Sequence, residues 1–337
     1  MKFEVNQADF VEALGAMNRI AMRQVENTKV IRIEKVHDGR IRLIGTNLTM
    51  SLRYDISAYN VEGDAVNISL SLFPIVQKLN GVIEFDENKI RCGKSSFKID
   101  KWAEQMPVNF EIKEAEEQEL LTVDLFNAIV KTNYATQNIN NSVLSGIYFN
   151  KAEVVGTDGN RLAKACLKEN NSQFLMPNFM AEEVIKLFNS KQLKIAVGRS
   201  NIKVYNEEIE LISQKLSGQY PNYSSILPKS FKNFVKINRK DLIKALELIT
   251  VTNSQYACSF EINNNEIIIK NNIGQTEIDC ESNTVDVEKI AFNPVFVLNA
   301  LKTTGDEFVE FHYNSELAPC SFMSENLYAL IMPVKLR

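Results

Sequence analysis

The sequence predicts an α+β protein built from three tandem copies of one unit of about 115 residues. Three observations predict it. An amphipathic helix pattern returns at a fixed interval, a pair of alternating strands follows it each time, and a second helix with a closing strand run ends every copy.

The first helix rests on three related stretches. VNQADFVEAL (5–14) and INRKDLIKAL (237–246) share Asn, Asp, Ala and Leu at matching places, and VDLFNAIV (123–130) is a shorter version between them. Their apolar sets are Phe10/Ala13/Leu14, Phe126/Ile129/Val130 and Leu242/Ala245/Leu246, spaced 116 residues apart both times. A spacing of i, i+3, i+4 puts such residues on one helix face. Asp9 and Asp241 stand at helix starts, where a carboxylate caps free N–H groups or meets the positive end of the dipole.

A hairpin follows each helix. VIRIEKVHDGRIRLIGTNLTMSL (30–52) alternates apolar and polar residues around Asp38-Gly39. The same layout surrounds Asn150-Lys151 in 146–165 and Asn263-Asn264-Asn265 in 259–278. Polar turns come next, at Gly45-Thr46-Asn47, Gly156-Thr157-Asp158 and Lys270-Asn271-Asn272. A second helix is expected around Ile75/Val76/Leu79, Val184/Ile185/Phe188 and Val297/Leu298/Leu301, the last begun by Asn293-Pro294. Strand-like runs close the copies at 82–92, 193–205 and 308–317. The expected domains are 1–117, 118–232 and 233–337.

Composition narrows the function. With 45% apolar and 24% charged residues, the chain is an ordinary globular protein with material for real cores. Lys and Arg number 38 against 42 Asp and Glu, a net charge of −4, so any basic surface must be local. The five cysteines, at 92, 166, 258, 280 and 320, form no C-x-x-C pair; reduced thiols in a cytoplasmic protein are expected, with no metal site and no cofactor. The N-terminal MKFEVNQADF lacks the apolar core of a signal peptide, and no run is long enough to span a membrane.

Catalytic equipment is sparse. The two histidines, His37 and His312, have no evident Ser or Cys partner. CGKSS (92–96) resembles the end of a phosphate-binding loop, but Asn88 stands where that loop needs glycine, and a strand follows where it needs a helix. The knot Thr157-Asp158-Gly159-Asn160-Arg161 groups a carboxylate, a glycine and an arginine as an active-site loop would. It occupies the place of GTNLTMSL in the first copy, however, and reads as a turn between two strands of a repeated scaffold. A nucleotide-using enzyme is therefore disfavoured, and no catalytic residue is assigned.

Three βαβββαβββ-type units carrying VVGTDGNRLA in the second resemble the bacterial DNA polymerase III beta subunit family, the sliding clamps. Further motifs agree: the opening MKFEV, LSGQYPNYSSILP (216–228), FNPVFVLNAL (292–301) and the closing ALIMPVKLR. The resemblance runs end to end. It implies three tandem repeats of the DNA clamp fold, joined head to tail with a second chain into a dimeric ring, with helices lining the lumen and sheets outside. It implies a non-catalytic processivity factor that encircles duplex DNA without reading sequence and works in the cytoplasm. Partners would be the alpha-type replicative polymerase subunit, the clamp loader, and other polymerases and repair proteins that dock through short linear motifs. The alternative is a diverged clamp-fold DNA-binding protein without ring closure.

Residue by residue, the resemblance implies a peptide groove. One wall is Thr157, Gly159, Asn160, Arg161 and Leu162 with Leu144 beneath; Pro221, Ser225 and Ile226 form the second; Ile331, Met332, Pro333 and Val334 form the third. Asn160 and Ser225 stand where family members often carry His and Arg, so the peptide preference stays open. DNA contacts are expected from Arg19, Arg23, Lys78, Lys131, Asn138, Lys186, Lys240, Lys244 and Lys302. The dimer contact is expected to join Met106 and Phe110 to Ile249 and Val251.

Overall fold

The computed structural model describes residues 1–21, 29–37, 39–99, 120–121, 123–137, 142–168, 172–189, 193–251, 257–284 and 288–335. Element order repeats three times. The first copy holds β1 (Lys2–Asn6), α1 (Gln7–Ala21), β2 (Val30–His37), β3 (Arg40–Thr46), β4 (Met50–Ser57), β5 (Tyr59–Glu62), β6 (Ala65–Ser69), α2 (Phe73–Val76), β7 (Val82–Asp86), β8 (Lys89–Cys92) and β9 (Ser95–Lys98). The middle copy runs β10 (Leu120–Leu121), α3 (Val123–Asn133), β11 (Gly146–Asn150), β12 (Glu153–Thr157), β13 (Arg161–Cys166), β14 (Gln173–Pro177), α4 (Asn178–Phe188), β15 (Lys194–Val197), β16 (Asn201–Tyr205) and β17 (Ile209–Gln214). The third repeats that pattern with β18 (Asn233–Asn238), α5 (Arg239–Thr250), β19 (Cys258–Ile262), β20 (Glu266–Lys270), β21 (Gln275–Ser282), β22 (Glu288–Phe292), α6 (Pro294–Leu301), β23 (Phe308–Tyr313), β24 (Cys320–Ser324) and β25 (Leu327–Ile331).

Two differences from expectation have local causes. The middle and third copies have one more strand ahead of the second helix than expected (β14, β22) and the first has two (β5, β6), each of four or five residues and merged by the sequence pattern with its surroundings. The second helix of the first copy is only four residues long, preceded by a 3-10 turn at Leu70–Leu72. Pro74 suits that start, because proline fits a first helical turn but supplies no N–H to a longer one.

The long helices begin at asparagine, not aspartate. Asn6 Oδ1 accepts the Ala8 N–H at 2.8 Å, and Asn238 Oδ1 accepts the Lys240 and Asp241 N–H groups at 2.9 and 3.3 Å. Asp9 and Asp241 sit inside the first turn, where their charge meets the dipole. Asn293 caps α6 in the same way, with Pro294 at the first helical position.

Two compact units contain these elements. One comprises 1–123 with 186–215, the other 124–185 with 216–337. The first unit has a five-stranded sheet, β5-β1-β7-β8-β9, and an eight-stranded one, β10-β15-β16-β17-β4-β3-β2-β6. Strand β4 of the first copy thereby pairs antiparallel with β17 of the middle copy, Glu210 facing Arg53 and Leu211 facing Leu52. Helix α1 packs its buried Phe10, Leu14, Met17 and Ile20 inward, and Phe3 stacks on Phe85 at 4.6 Å between ring centres.

The second unit holds one sheet of twelve strands, β14-β11-β12-β13-β25-β24-β23-β18-β21-β20-β19-β22. Here β13 of the middle copy pairs with β25 of the third, Leu162 opposite Leu330 and Ala163 opposite Ala329. The two faces differ in use. Ala329 and Ile331 join the third-copy core of Phe260, Phe292, Phe311 and Phe322, while Leu162 and Leu330 join a cluster on the other face. Gly156 of β12 is required by packing: a Cβ there would collide with the Thr132 carbonyl of α3.

Candidate functional site

The turn between β12 and β13 uses its polar atoms on itself. Asp158 Oδ1 accepts the backbone N–H of Asn160 at 2.9 Å and of Arg161 at 3.1 Å, and Oδ2 accepts Arg161 Nε at 3.0 Å. The Thr157 hydroxyl donates to the Arg161 carbonyl at 2.6 Å and accepts the Gly159 N–H at 3.2 Å. Gly159 takes φ of +91°, a conformation that side chains disfavour. The Arg161 guanidinium carbon lies 4.4 Å from the centre of the Phe296 ring on α6 and 5.5 Å from that of Tyr134. A carboxylate and a guanidinium so engaged shape a loop; they do not present a reactive group.

That shaped loop forms one wall of an apolar surface. Its floor is Leu162, Leu330, Val155, Leu175, Tyr220 and Tyr223, edged by Leu144, Tyr148, Leu216 and Tyr328. Tyr148 stacks on Tyr220 with ring centres 4.7 Å apart. The segment after β17 supplies the second wall, where a 3-10 turn at Tyr223–Ile226 leaves Pro221 and Ser225 exposed and Ile226 53% exposed. The tail supplies the third. Met332 donates its N–H to the Asn160 carbonyl at 2.9 Å, and Val334 donates to the Ala291 carbonyl at 2.8 Å. Met332 remains 38% exposed, with Pro333 and Val334 half-buried.

Most of the residues expected in the groove therefore meet on one surface. Ile331 and its ladder partner Arg161 are placed otherwise: Ile331 is buried in the third-copy core, on the sheet face away from Leu162, and the Arg161 guanidinium lies over Phe296 and Tyr134 at the edge of that same core. Leu330 takes the floor position instead, together with Tyr148, Tyr220 and Tyr223, which the sequence reading passed over. The aromatic residues of GQYPNY, spaced to flank Pro221, were the available signal.

The cationic candidates are dispersed along helices. Arg19, Lys131 and Lys186 lie in the last turns of α1, α3 and α4. Lys78, just past α2, is exposed, as are Lys240, Lys244 and Lys302. Lys302 pairs with Glu247 at 2.7 Å, and Lys244 borders a cleft that also holds Asp241, Glu266, Glu277 and Asp279, which weakens its positive field. Arg23, Asn138, Met106 and Phe110 lie outside the described residues. Ile249 is 6% exposed and belongs to the third-copy core, so its side chain faces inward; its neighbours Leu248 and Val251 are 62% and 78% exposed.

Three repeated α+β units, and sheets that run from one copy into the next beside an internally bonded turn, define a clamp-fold protein. Comparison with known proteins makes the assignment specific. Residues 119–222 match the family model of the DNA polymerase III beta subunit central domain, and 224–335 match that of its C-terminal domain, so more than half of the chain is covered. The beta sliding clamp of Buchnera aphidicola is 26% identical over 98% of this chain and 93% of its own length, and that of Chlamydia pneumoniae 26% over 100% and 99%. Among solved structures, the beta clamp of Helicobacter pylori bound to a DNA ligase peptide superposes with a TM-score of 0.85 at 19% identity, covering 99% of this chain and 100% of that one. The beta subunit of Thermotoga maritima gives 0.84 at 21%, covering all of both chains. The chain belongs to the bacterial DNA polymerase III beta subunit family: it is a beta sliding clamp, the non-catalytic processivity factor of that polymerase.

Proposed function

We propose that this clamp closes as a head-to-tail homodimer around duplex DNA and tethers its partners through the surface between Thr157–Leu162, Pro221–Ile226 and Met332–Val334. The observation that carries the reading is the pairing of an apolar floor with exposed apolar rims. Ile226, three residues past the clustered Tyr223, and Met332, two past Leu330, are both exposed, apolar surface that a monomer gains nothing from unless a ligand covers it. The occupant is a short extended peptide with a glutamine and two or three bulky apolar residues. The exposed Asn160 side chain beside Thr157 would meet its polar atoms, and its apolar side chains would cover the floor. Two leucine-sized side chains buried there contribute roughly 3–6 kcal/mol before ordering costs, which suits exchangeable docking. The Helicobacter clamp takes a DNA ligase peptide. The partners of this chain are the alpha-type polymerase subunit, the clamp loader, and other polymerases and repair proteins, all in the cytoplasm. Among the described residues no helix is long and apolar enough to cross a membrane.

DNA is held by charge alone in this reading. Arg19, Arg23, Lys78, Lys131, Asn138, Lys186, Lys240, Lys244 and Lys302 supply contacts to the DNA backbone, which makes binding salt-dependent and indifferent to sequence. The domains take the limits 1–117, 118–232 and 233–337. Ring closure uses the apolar surface of Leu248 and Val251 against the segment of Met106 and Phe110, with Ile249 behind it as core. Two measurements test this. Solution mass should be twice that of the 38.3 kDa chain; a monomer at micromolar concentration would favour the diverged protein without ring closure. A fluorescent peptide of the stated composition should bind the intact chain and fail to bind one truncated after Ile331.

A further inference from the structure

The second wall of the groove is a turn, and turns need an anchor. Residues 216–228 carry Pro221, Ser225 and Ile226 and have no ladder of strand hydrogen bonds along the 3-10 turn. One polar side chain in that turn reaches down to the sheet. The Tyr223 hydroxyl donates to Glu153 Oε2 at 2.6 Å and accepts from Asn150 Nδ2 at 3.0 Å. Both partners flank the β11–β12 hairpin, where Asn150 pairs with Glu153. Both are themselves held: Lys164 Nζ donates to Glu153 Oε1 at 3.1 Å, and Gln173 Nε2 to Asn150 Oδ1 at 2.6 Å. The ring of Tyr223 meanwhile sits in the floor, edge-on to Tyr148.

We propose that Glu153 and Asn150 are positioning residues of the groove. Through the Tyr223 hydroxyl they fix the turn that bears Ser225 and Ile226, and so set the gap that a peptide side chain must enter between Ile226 and Leu162. The proposal rests on the groove reading above. Its physical basis is preorganisation: a wall already held at the binding distance loses little freedom when the ligand arrives. A charge-assisted hydrogen bond of this length is the strong kind, and the hydroxyl receives a second bond that leaves it one orientation. Charge distribution agrees with the geometry. The Tyr223 hydrogen bond, followed by Lys164, holds the Glu153 carboxyl below its usual range, while burial and the same bond push the Tyr223 hydroxyl up to about 12. The pair therefore stays as carboxylate and phenol throughout the neutral range.

The test is a titration of a fluorescent peptide holding one glutamine and three leucine or phenylalanine residues into the full chain. Tyr223→Phe removes the hydroxyl and keeps the ring; its affinity should fall about tenfold, with thermal unfolding little changed. Glu153→Gln keeps an oxygen that accepts the hydroxyl proton, so its affinity should stay within about twofold of wild type, whereas Glu153→Leu should match Tyr223→Phe. The Tyr223→Phe/Glu153→Leu double variant should be no weaker than either single one, because the two changes break one bond. Equal affinities for Glu153→Gln and Glu153→Leu, or additive losses in the double variant, overturn the proposal even if one variant is less stable. Met332→Asp separates the two readings. If it loses the peptide while Tyr223→Phe keeps it, only the anchor is wrong; if it binds like wild type, the groove reading has failed as well.

Discussion

Two seams join strands of different copies, and their ladders are alike while their side chains are not. In the first unit β4 meets β17; in the second β13 meets β25. Each strand occupies the same place in its own copy. On the face away from the helices, the first seam sets Arg53 against Glu210 at 2.7 Å, beside Arg42 and Asp55, which share two bonds of 2.7 and 2.8 Å. Along the same face the second seam sets Leu162 against Leu330 where the first has Ser51 against Ile212, and Lys164 against Tyr328 where the first has Arg53 against Glu210. Charged partners already satisfied by each other offer an incoming peptide nothing it does not have in water. Apolar partners with exposed neighbours gain by being covered. Backbone pairing thus builds the scaffold twice, and a few side chains make the two seams different surfaces, of which the proposed docking uses the second.

The comparison breaks first at the leucine pair. Leu330→Ala should cost about 2–4 kcal/mol in urea unfolding, because the side chain is buried in a close-packed cluster, and should also weaken the peptide. Unchanged stability would place Leu330 outside the floor. Next comes Met332→Asp, expected to weaken peptide binding at least tenfold while shifting the unfolding midpoint hardly at all, since the side chain is exposed and its backbone bond to Asn160 survives. At the first seam, Arg53→Ala should cost about 0.5–1 kcal/mol at low salt and less at high salt, with peptide affinity untouched. A loss of peptide binding in that variant would show that the seams are not independent.

Acid gives the smallest and most specific contrast. Asp306, held to about pKa 2 by the neighbouring Ser324 hydroxyl and then by hydrogen bonds from the Asn326 backbone and side-chain N–H groups, both at 3.2 Å, ties down the turn that leads into β25. A folded pKa below the ordinary carboxylate value means stabilisation that is complete above about pH 4 and is lost as pH falls toward 2. Asp306→Asn should therefore show a flatter decline of stability across that range than wild type, measured by denaturant unfolding at several pH values.

What the sequence made legible follows from the length of each signal. Helices α1, α3 and α5 declared themselves through a repeated stripe, and Leu242, Ala245, Leu246 and Ile249 continue that stripe on α5. As read from the sequence the stripe ends at Leu246; carried one turn further it reaches Ile249, which was expected at the dimer contact and lies in the core, while the exposed Leu248 and Val251 fit the contact role better. Ile331 had no such guide. In a five-residue strand, which side faces the core depends on pairing with β13, and a one-residue difference exchanges the faces. The groove was legible as motifs, but the Tyr223 anchor was not, because Glu153 and Asn150 are 70 and 73 residues away in sequence.

The two compact units divide the middle copy, placing 118–123 and 186–215 with the first copy and 124–185 and 216–232 with the third. The segment that was duplicated and the segment that coheres are therefore out of phase by half a copy. Excising residues 118–232 as a domain would sever β17 from β4 and β13 from β25, exposing two sheet edges and both faces of the leucine pair. Repeat boundaries in this chain mark its history; a fragment meant to stay soluble has to be cut elsewhere.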